Sequence, residues 1–567
     1  MASNPNSCAQ TVSWGWSGSA LADCSLLIVC SDDYALGGHN SILSARHGQW
    51  IRTIKPELMH SPKYQLHTAA QIQEIEARAM QPIQHLGMGI DSYTLMQRAG
   101  LSAFEHMLQR WPDTRAVSVV CGKGNNAGDG YIVARLAHQL GLQVQLIAVN
   151  SPELLQGDAR TAYADFVAAG GAVESADQPI KHDLVVDALL GTGFRPPLRD
   201  SHSEIIQRIN ESAAVVLALD VPSGVDPNTG AVANAYGVAV AVRASMTVTF
   251  VSRKIGLYTG AGKGFVGDLH VADLGITDLS NSASGQATLL TWQHQLLPAL
   301  PVNTYKHQRG KVVIVGGDLG MGGAVLMAAE AALRCGAGLV SIVSRPEHRS
   351  ALLARVPEVM FVDAESAALQ DTLNAADFIV IGPGLGRDLW GAELFAIVAA
   401  TAAAKLIDAD GLYWLAKADE MPASDLFITP HSGEAAKLLS VDVPAVEADR
   451  LESALQLARS YGCNVVLKGP GSVVVTENGV QICGHGGPGM ATAGMGDVLA
   501  GICAGLMAPL YAGNKGRQGR EQFAQAIALH SASADVAAES LGPLSVMATD
   551  VISRLPGLLS GRECLDD

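Results

Sequence analysis

One pattern, repeated along most of the chain, constrains its fold more than any other feature. A short run of Val, Ile, Leu and Ala meets a loop rich in Gly, Asn, Asp or Ser, and a stretch with helical apolar spacing follows. In residues 115–141 the run AVSVVCG reads as a buried strand, GKGNNAGDG as a turn, and Ile132, Val133, Leu136, Ala137 and Leu140 as the buried face of a helix. VQLIAV at 144–149 supplies the next strand and completes a βαβ unit. Continuous apolar strands of this kind are stable in parallel sheets covered by helices, so the expected fold class is α/β. Upstream, Leu95, Met96, Ala99, Ala103, Phe104 and Met107 recur at helical spacing and predict an amphipathic helix.

Two further strands end in polar, glycine-bearing loops: DLVVDALLGTGFRPPL, with Asp187 and Gly191 to Gly193, and AAVVLALDVPSGVD, with Asp220, Ser223 and Gly224. In an open parallel sheet the strand C-termini share one edge, which is where such folds bind ligands. Asn125, Asn126, Asp129, Asp187, Asp220 and Ser223 are therefore expected around one crevice. Their oxygens suit a ribose or a hard cation, and the same residue types also make plain turns and caps.

Residues 277–305, with TDLSNSASGQAT and a proline pair, read as a linker that lacks a strand and ends in a short helix. A second α/β pattern follows. KVVIVGG, LVSIVS, DFIVIGPGLG, AKLIDADGL, LFITPHSGE and NVVLKGPGSVVVTENG are its strands, and GGAVLMAAEAALRCGAG is a helix. It closes on HGGPGMATAGMGDVLAG at 485–501, where Gly494 and Gly496 permit close backbone approach at a helix start and Asp497 is a carboxylate beside it. Such a turn either caps a helix or holds a phosphate group with its own base. Helix amides at that place would depress the Asp497 pKa and keep it ionised. Lys468 is either a solvated lysine or a phosphate contact at a strand-terminal turn.

A length of 567 residues exceeds what one hydrophobic core serves. The formal charge of -16 argues against nucleic acid or an anionic membrane as a partner. Nine cysteines without a CxxC pair read as thiols of a reducing compartment, the cytoplasm. No Lys or Arg precedes Arg46, so no charged signal-peptide start is present. Residues 1–64 read as an extension without a clear fold, with Met59 an alternative start.

GNNAGDGYIVAR, VDALLGTG and ALDVPSGVD, in this order, resemble the YjeF N-terminal domain, a Rossmann-like NAD(P)H-hydrate epimerase, over residues 65–280. The resemblance implies that Asn125, Asn126, Ala127, Gly128 and Asp129, with Gly191, Thr192, Gly193, Phe194, Arg195, Pro196 and Pro197, hold the hydrated dinucleotide. It also implies that Asp220 contacts the reacting nicotinamide and that Asn126, Asp187 and Ser223 ligate K+. Ala127 stands where the family commonly has Gly.

Residues 281–567 comprise the linker and a half that resembles the ribokinase-like, ADP-dependent NAD(P)H-hydrate dehydratase. The matching motifs are GGA at 322–324, GPGLG at 382–386, TPHSGE at 429–434, VLKGPGS at 466–472 and GMGD at 494–497. By this resemblance Ala324, Gly386, His431 and Asp497 line the hydrate pocket, while Lys468, Gly469, Pro470, Gly471, Ser472 and Gly496 hold the nucleotide. His431 on its own is either a structural hydrogen-bonding residue or a hydrate contact. KHQRG at 306–310 departs from a KGDxG-like stretch, with Gln308 in place of an acidic residue. ADP with Mg2+, NADHX and NADPHX as substrates, and a homo-oligomer, expected as a tetramer, are implied.

Hydroxide is a poor leaving group, and phosphorylation turns a ring hydroxyl into a good one. Asp497 as general base, with Lys468 and helix amides balancing the phosphoryl charge, would suit that step. A dehydratase pocket accepts one epimer, so an epimerase in the same chain makes the other usable; Asp220 and Asp497 are the expected catalytic residues. Two rivals remain: a small-molecule kinase in the C-terminal half, whose phosphate would stay on its product, and a non-catalytic binding module in the N-terminal half.

Overall fold

A computed structural model describes residues 64–81, 89–235, 238–293, 297, 300–418, 425–513 and 519–563, together with three short strands nearer the N-terminus. Those strands, Leu27–Val29, Ile42–Arg46 and Gln49–Thr53, pair antiparallel within a separate unit spanning Met1–Met59. They are three to five residues long, too short to carry a periodic signal, and the sequence reading expected no regular element there.

The unit from His60 onward contains two α/β layers, each built on a largely parallel sheet, as the strand, turn and helix pattern predicts. Seven strands form the first sheet, in the order Asp268–Ala272, Met246–Phe250, Val215–Leu219, Leu184–Ala188, Ala116–Cys121, Gln143–Ala148 and Val173–Ser175. All its pairings are parallel. The chain steps outward from Ala116–Cys121, then returns to place Leu184–Ala188 on that strand's other side. Loops leaving these two strands therefore diverge and open a crevice between them.

The predicted helix is Ser92–Arg110, with Leu95, Met96, Ala99, Ala103, Phe104 and Met107 all buried. Two expectations fail nearby. The NNAGDG segment is not a free turn, because the helix Asn125–Gln139 begins at Asn125 with Gly124 as its N-cap. Leu140, expected in the buried face, is the C-cap of that helix and is 58 % exposed, since the helix ends before the residue can turn inward.

The second sheet has eleven strands. Its parallel part runs Met360–Asp363, Leu339–Ser344, Lys311–Val315, Phe378–Ile381, Ala404–Ile407, Leu426–Ile428 and Asn464–Leu467, and its switch point lies between Lys311–Val315 and Phe378–Ile381. Alternation along the strands serves both faces: Val312 and Ile314 pack in one core with the helices Gly322–Arg334 and Met495–Ala512, and Val313 and Val315 pack in the opposite one. Met495–Ala512 is long and apolar enough to cross a membrane, yet 72 % of it is buried inside the protein, as a core helix is.

Residues 277–305 differ from the expected strandless linker. Ala287–Leu290 is a strand that pairs parallel with Gly479–Cys483 and antiparallel with Gln65–Leu66, and a helix, Thr277–Ser282, opens the segment, while the short helix expected at its end falls largely outside the described residues. Four residues give too little periodicity to mark a strand, and its partners lie nearly two hundred residues or more away. The two halves are thus joined through one sheet.

Candidate active site

At the switch point of the first sheet lies a cleft of about 620 Å³, lined by Asn125, Asn126, Asp129, Gly191, Thr192, Gly193, Phe194, Arg195, Pro197 and Asp220. The start of helix Asn125–Gln139 has no side-chain cap, which leaves its first amides for an anion. Ala127 and Gly128 do not line the cleft: Ala127 has no exposed surface, and a side chain on Gly128 would meet Met96 Sδ at 2.5 Å. Their role is close packing of the helix on its neighbours. Pro196 is also absent from the lining.

Asp220 ends the strand Val215–Leu219 in a left-handed conformation, φ 67°, a strained geometry for a residue with a side chain. The Lys254 ammonium, without exposed surface, lies 2.7 Å from its Oδ1, and the Phe250 N–H donates to the same oxygen at 3.2 Å. Lys254 also donates to Thr249 Oγ1 and the Phe250 carbonyl, both at 2.9 Å. Burial raises the pKa of Glu76, and burial with the charges of Asp220 and Glu76 raises that of Asp129 well above the usual carboxylate range. Beneath the cleft, Asn126 donates through Nδ2 to the Leu190 and Leu219 carbonyls, while its buried Oδ1 has no hydrogen-bond partner among the described residues. Ser223 donates to Asp187 Oδ1 at 2.7 Å through its hydroxyl and to Oδ2 at 2.8 Å through its N–H. Burial pushes the Asp187 pKa up to about 6.

In the second sheet the loops after successive parallel strands gather at one edge. Gly494 adopts φ 88° as the N-cap of Met495–Ala512, and a side chain there would meet Met327 Cε at 2.6 Å. Glycine is required at that turn. Gly496 sits over a charged pair: Lys468 Nζ lies 2.6 Å from Oδ1 of the buried Asp408, and a Cβ on Gly496 would be 3.4 Å from the ammonium and 3.2 Å from Asp408 Oδ2. Asp497, half-buried in the first helical turn, has its pKa pushed up to about 7 by burial and by the Asp408 charge. The depressed value expected from helix amides is therefore corrected, because desolvation and a like charge outweigh them.

Glu434 lies 4.0 Å from Lys468, and burial pushes its pKa up to about 7. His431 caps the helix Ser432–Leu439: its Nδ1 accepts from the Gly433 and Glu434 N–H groups, and Glu434 accepts from the His431 N–H. The structural reading of His431 is realised, and with Nδ1 an acceptor its Nε2 carries the proton of the neutral ring. Ala324 stands in the first turn of Gly322–Arg334. Gly386, at φ 77°, donates its N–H to Asp410 and accepts from Trp414 Nε1 at 3.0 Å. In the loop 468–472, Gly469 and Gly471 have positive φ, and buried Arg450 donates to the Leu467 and Lys468 carbonyls, both at 3.1 Å.

Family models agree with this division: one described as YjeF-related protein N-terminus matches residues 92–256, and one described as NAD(P)H-hydrate dehydratase matches residues 312–557. A bifunctional NAD(P)H-hydrate repair enzyme of Coxiella burnetii is 39 % identical over 503 residues, covering 87 % of this chain and 99 % of that relative. The chain belongs to the bifunctional NAD(P)H-hydrate repair enzyme family. The Escherichia coli K12 relative is 40 % identical over 482 residues, 83 % of this chain and 90 % of its own. A ribokinase-like superfamily protein from Enterococcus faecalis is 28 % identical with a TM-score of 0.44, covering 48 % of this chain and 96 % of its own.

Several residues, most of them beside the repair-enzyme motifs and one, Glu434, inside TPHSGE, were given no role by the sequence. Lys254, Glu76, Asp408, Glu434 and Arg450 each lie in or against the clusters above. Asp408 and Glu434 carried usable signals, since Asp408 follows the strand AKLI as Asp220 follows VVLAL and Glu434 closes the TPHSGE motif.

Proposed function

We propose that the N-terminal half interconverts the R and S hydrates of NADH and NADPH, and that the C-terminal half dehydrates the S epimer with ADP and Mg2+, giving NAD(P)H, AMP and phosphate. The cleft is of a size that suits a dinucleotide end, with the uncapped helix start at Asn125 for the pyrophosphate. Asp220, fixed by Lys254, faces the hydrated ring. Epimerisation needs the carbinol hydroxyl to leave as water and return on the other ring face. Asp129, which lines the same cleft and whose burial beside Asp220 and Glu76 favours its protonated form, supplies the proton and recovers it when water adds.

Asn126 Oδ1, the Asp187 carboxylate and the Ser223 oxygen form an oxygen donor set that fits K+, and the unpartnered Oδ1 of Asn126 supports that assignment. K+ there would fix the two loops flanking the cleft. Mg2+ enters with the diphosphate, as it is ordinarily held by substrate phosphates and one or two carboxylates.

In the C-terminal half Lys468, Gly469, Pro470, Gly471, Ser472 and Gly496 hold the nucleotide, and Ala324, Gly386 and His431 line the hydrate pocket with Asp497. Asp497 takes the hydroxyl proton as that oxygen attacks the terminal phosphoryl group of ADP, and AMP leaves. The ring nitrogen then expels phosphate, and loss of a ring proton restores the dihydronicotinamide. A base with a pKa near 7 is matched to neutral pH. The reading rests above all on Asp497 at a glycine-started helix beside the Lys468–Asp408 pair. We assign the chain to the cytoplasm as a homo-oligomer. Incubating S hydrate with ADP and Mg2+ and separating the products tests the reaction: equimolar AMP and free phosphate are expected, whereas a stable phosphorylated hydrate would make this half a kinase.

A further inference from the structure

The loop assigned to the nucleotide is held from two sides, and one of those sides belongs to the other half of the chain. Arg450 grips the carbonyls of Leu467 and Lys468 from within the C-terminal half. Across the loop, the Thr259 hydroxyl donates to the Gly471 carbonyl at 2.8 Å with the Pro470 carbonyl 3.3 Å away, and the Gly260 N–H donates to that Pro470 carbonyl at 3.1 Å. Thr259 has no exposed surface, and a Cβ on Gly471 would fall 1.8 Å from the Tyr258 carbonyl oxygen. The backbones touch.

This clamp is rigid on its own side. The Gly256 N–H donates to the Pro227 carbonyl at 2.8 Å, the Gly262 N–H donates to the Gly230 carbonyl at 2.7 Å, and a Cβ on Gly230 would lie 1.9 Å from the Thr259 carbonyl oxygen. Lys254, five residues before Thr259, is the buried partner of Asp220. A trans peptide points its N–H opposite its C=O. Fixing the Pro470 and Gly471 carbonyls toward the N-terminal half therefore turns the N–H groups of Gly471 and Ser472 the other way, the orientation an anion-binding loop needs.

We propose that Thr259 is a positioning residue of the nucleotide loop, so that the N-terminal half completes the nucleotide site of the C-terminal half. The inference rests on the assignment of residues 468–472 to the nucleotide. Without the hydroxyl, the Gly471 carbonyl loses its buried donor and the loop relaxes before the diphosphate arrives.

The test uses the full-length protein with Thr259→Val, Thr259→Ala, Thr259→Ser and Gly471→Ala. ADP affinity is measured by calorimetry, and KM for ADP, kcat of dehydration and the epimerase rate by assay. Thr259→Val and Thr259→Ala are expected to raise Kd and KM for ADP about five- to tenfold. Both should leave kcat within twofold and the epimerase rate unchanged, and Thr259→Ser should restore ADP affinity. Gly471→Ala should weaken ADP more strongly. If Gly471→Ala weakens ADP while both hydroxyl-free variants bind it as the wild type does, the role of Thr259 is wrong and the nucleotide assignment stands. An unchanged Kd in Gly471→Ala overturns the nucleotide assignment itself. Loss of the epimerase rate or of folding in both hydroxyl-free variants, or failure of Thr259→Ser to restore affinity, makes Thr259 a general packing residue and overturns the proposal.

Discussion

The ammonium of Lys468 rests 2.6 Å from the carboxylate of Asp408, and Gly496 stands over the pair at the start of the helix that carries Asp497. Asp408 thereby does two things. It anchors the lysine that would meet a diphosphate, and its charge helps hold Asp497 near pH 7. A side chain on Gly496 would press against this pair, 3.2 Å from the Asp408 carboxylate and 3.4 Å from the Lys468 ammonium.

The first consequence is a pH dependence. Asp497 acts as a base only when ionised, and with its pKa at about 7 the dehydration rate should fall roughly tenfold per unit on the acid side of neutrality. Asp408→Asn removes the like charge that raises Asp497, so the acid limb should move to lower pH. A rate profile from pH 5 to 9 on both proteins checks this; an acid limb unmoved by the substitution would separate Asp408 from the base.

Lys254 makes a second prediction. Replacing it by Met leaves Asp220 without its counter-ion in a largely buried place and should cost about 3–5 kcal/mol of stability. Consumption of the R hydrate should fall at least a hundredfold, while dehydration of purified S hydrate persists in whatever protein remains folded. Denaturant unfolding and separate assays of the two epimers measure both effects.

The oxygen set around Asn126 makes a third. With K+ replaced by Li+, a smaller ion for the same oxygens, the epimerase rate should drop, and Asn126→Ala should lower it severalfold and remove the difference between the two cations. Equal rates in K+ and Li+ for the wild-type protein would argue against a cation at Asp187 and Ser223.

Much of this arrangement was legible in the sequence because strand-terminal loops announce themselves. VDALLGTG, LDVPSG, VLKGPGS and GMGD each join apolar residues to glycines and one or two polar groups, and the parallel sheets bring their ends to common edges. The strand Ala287–Leu290 was hidden because it is four residues long and pairs only with distant segments. Lys254 and Arg450 were hidden for another reason. A Lys or Arg in a sequence reads as solvated until burial places it against Asp220 or the Leu467 carbonyl, and no local spacing encodes that. The direction of the Asp497 shift is not legible in the sequence, which shows the helix start and not the buried Asp408 beside it.

The most direct test of the account is the recovery of NADH absorbance from a mixture of both NADH hydrates with excess ADP and Mg2+, comparing the wild type with Asp497→Asn. The wild type is predicted to restore the absorbance of the whole mixture. Asp497→Asn is predicted to bind ADP with little change and to lose roughly a hundred- to ten-thousandfold in rate. Full-rate recovery by Asp497→Asn would contradict the assignment of the base and with it the chemistry proposed for the C-terminal half.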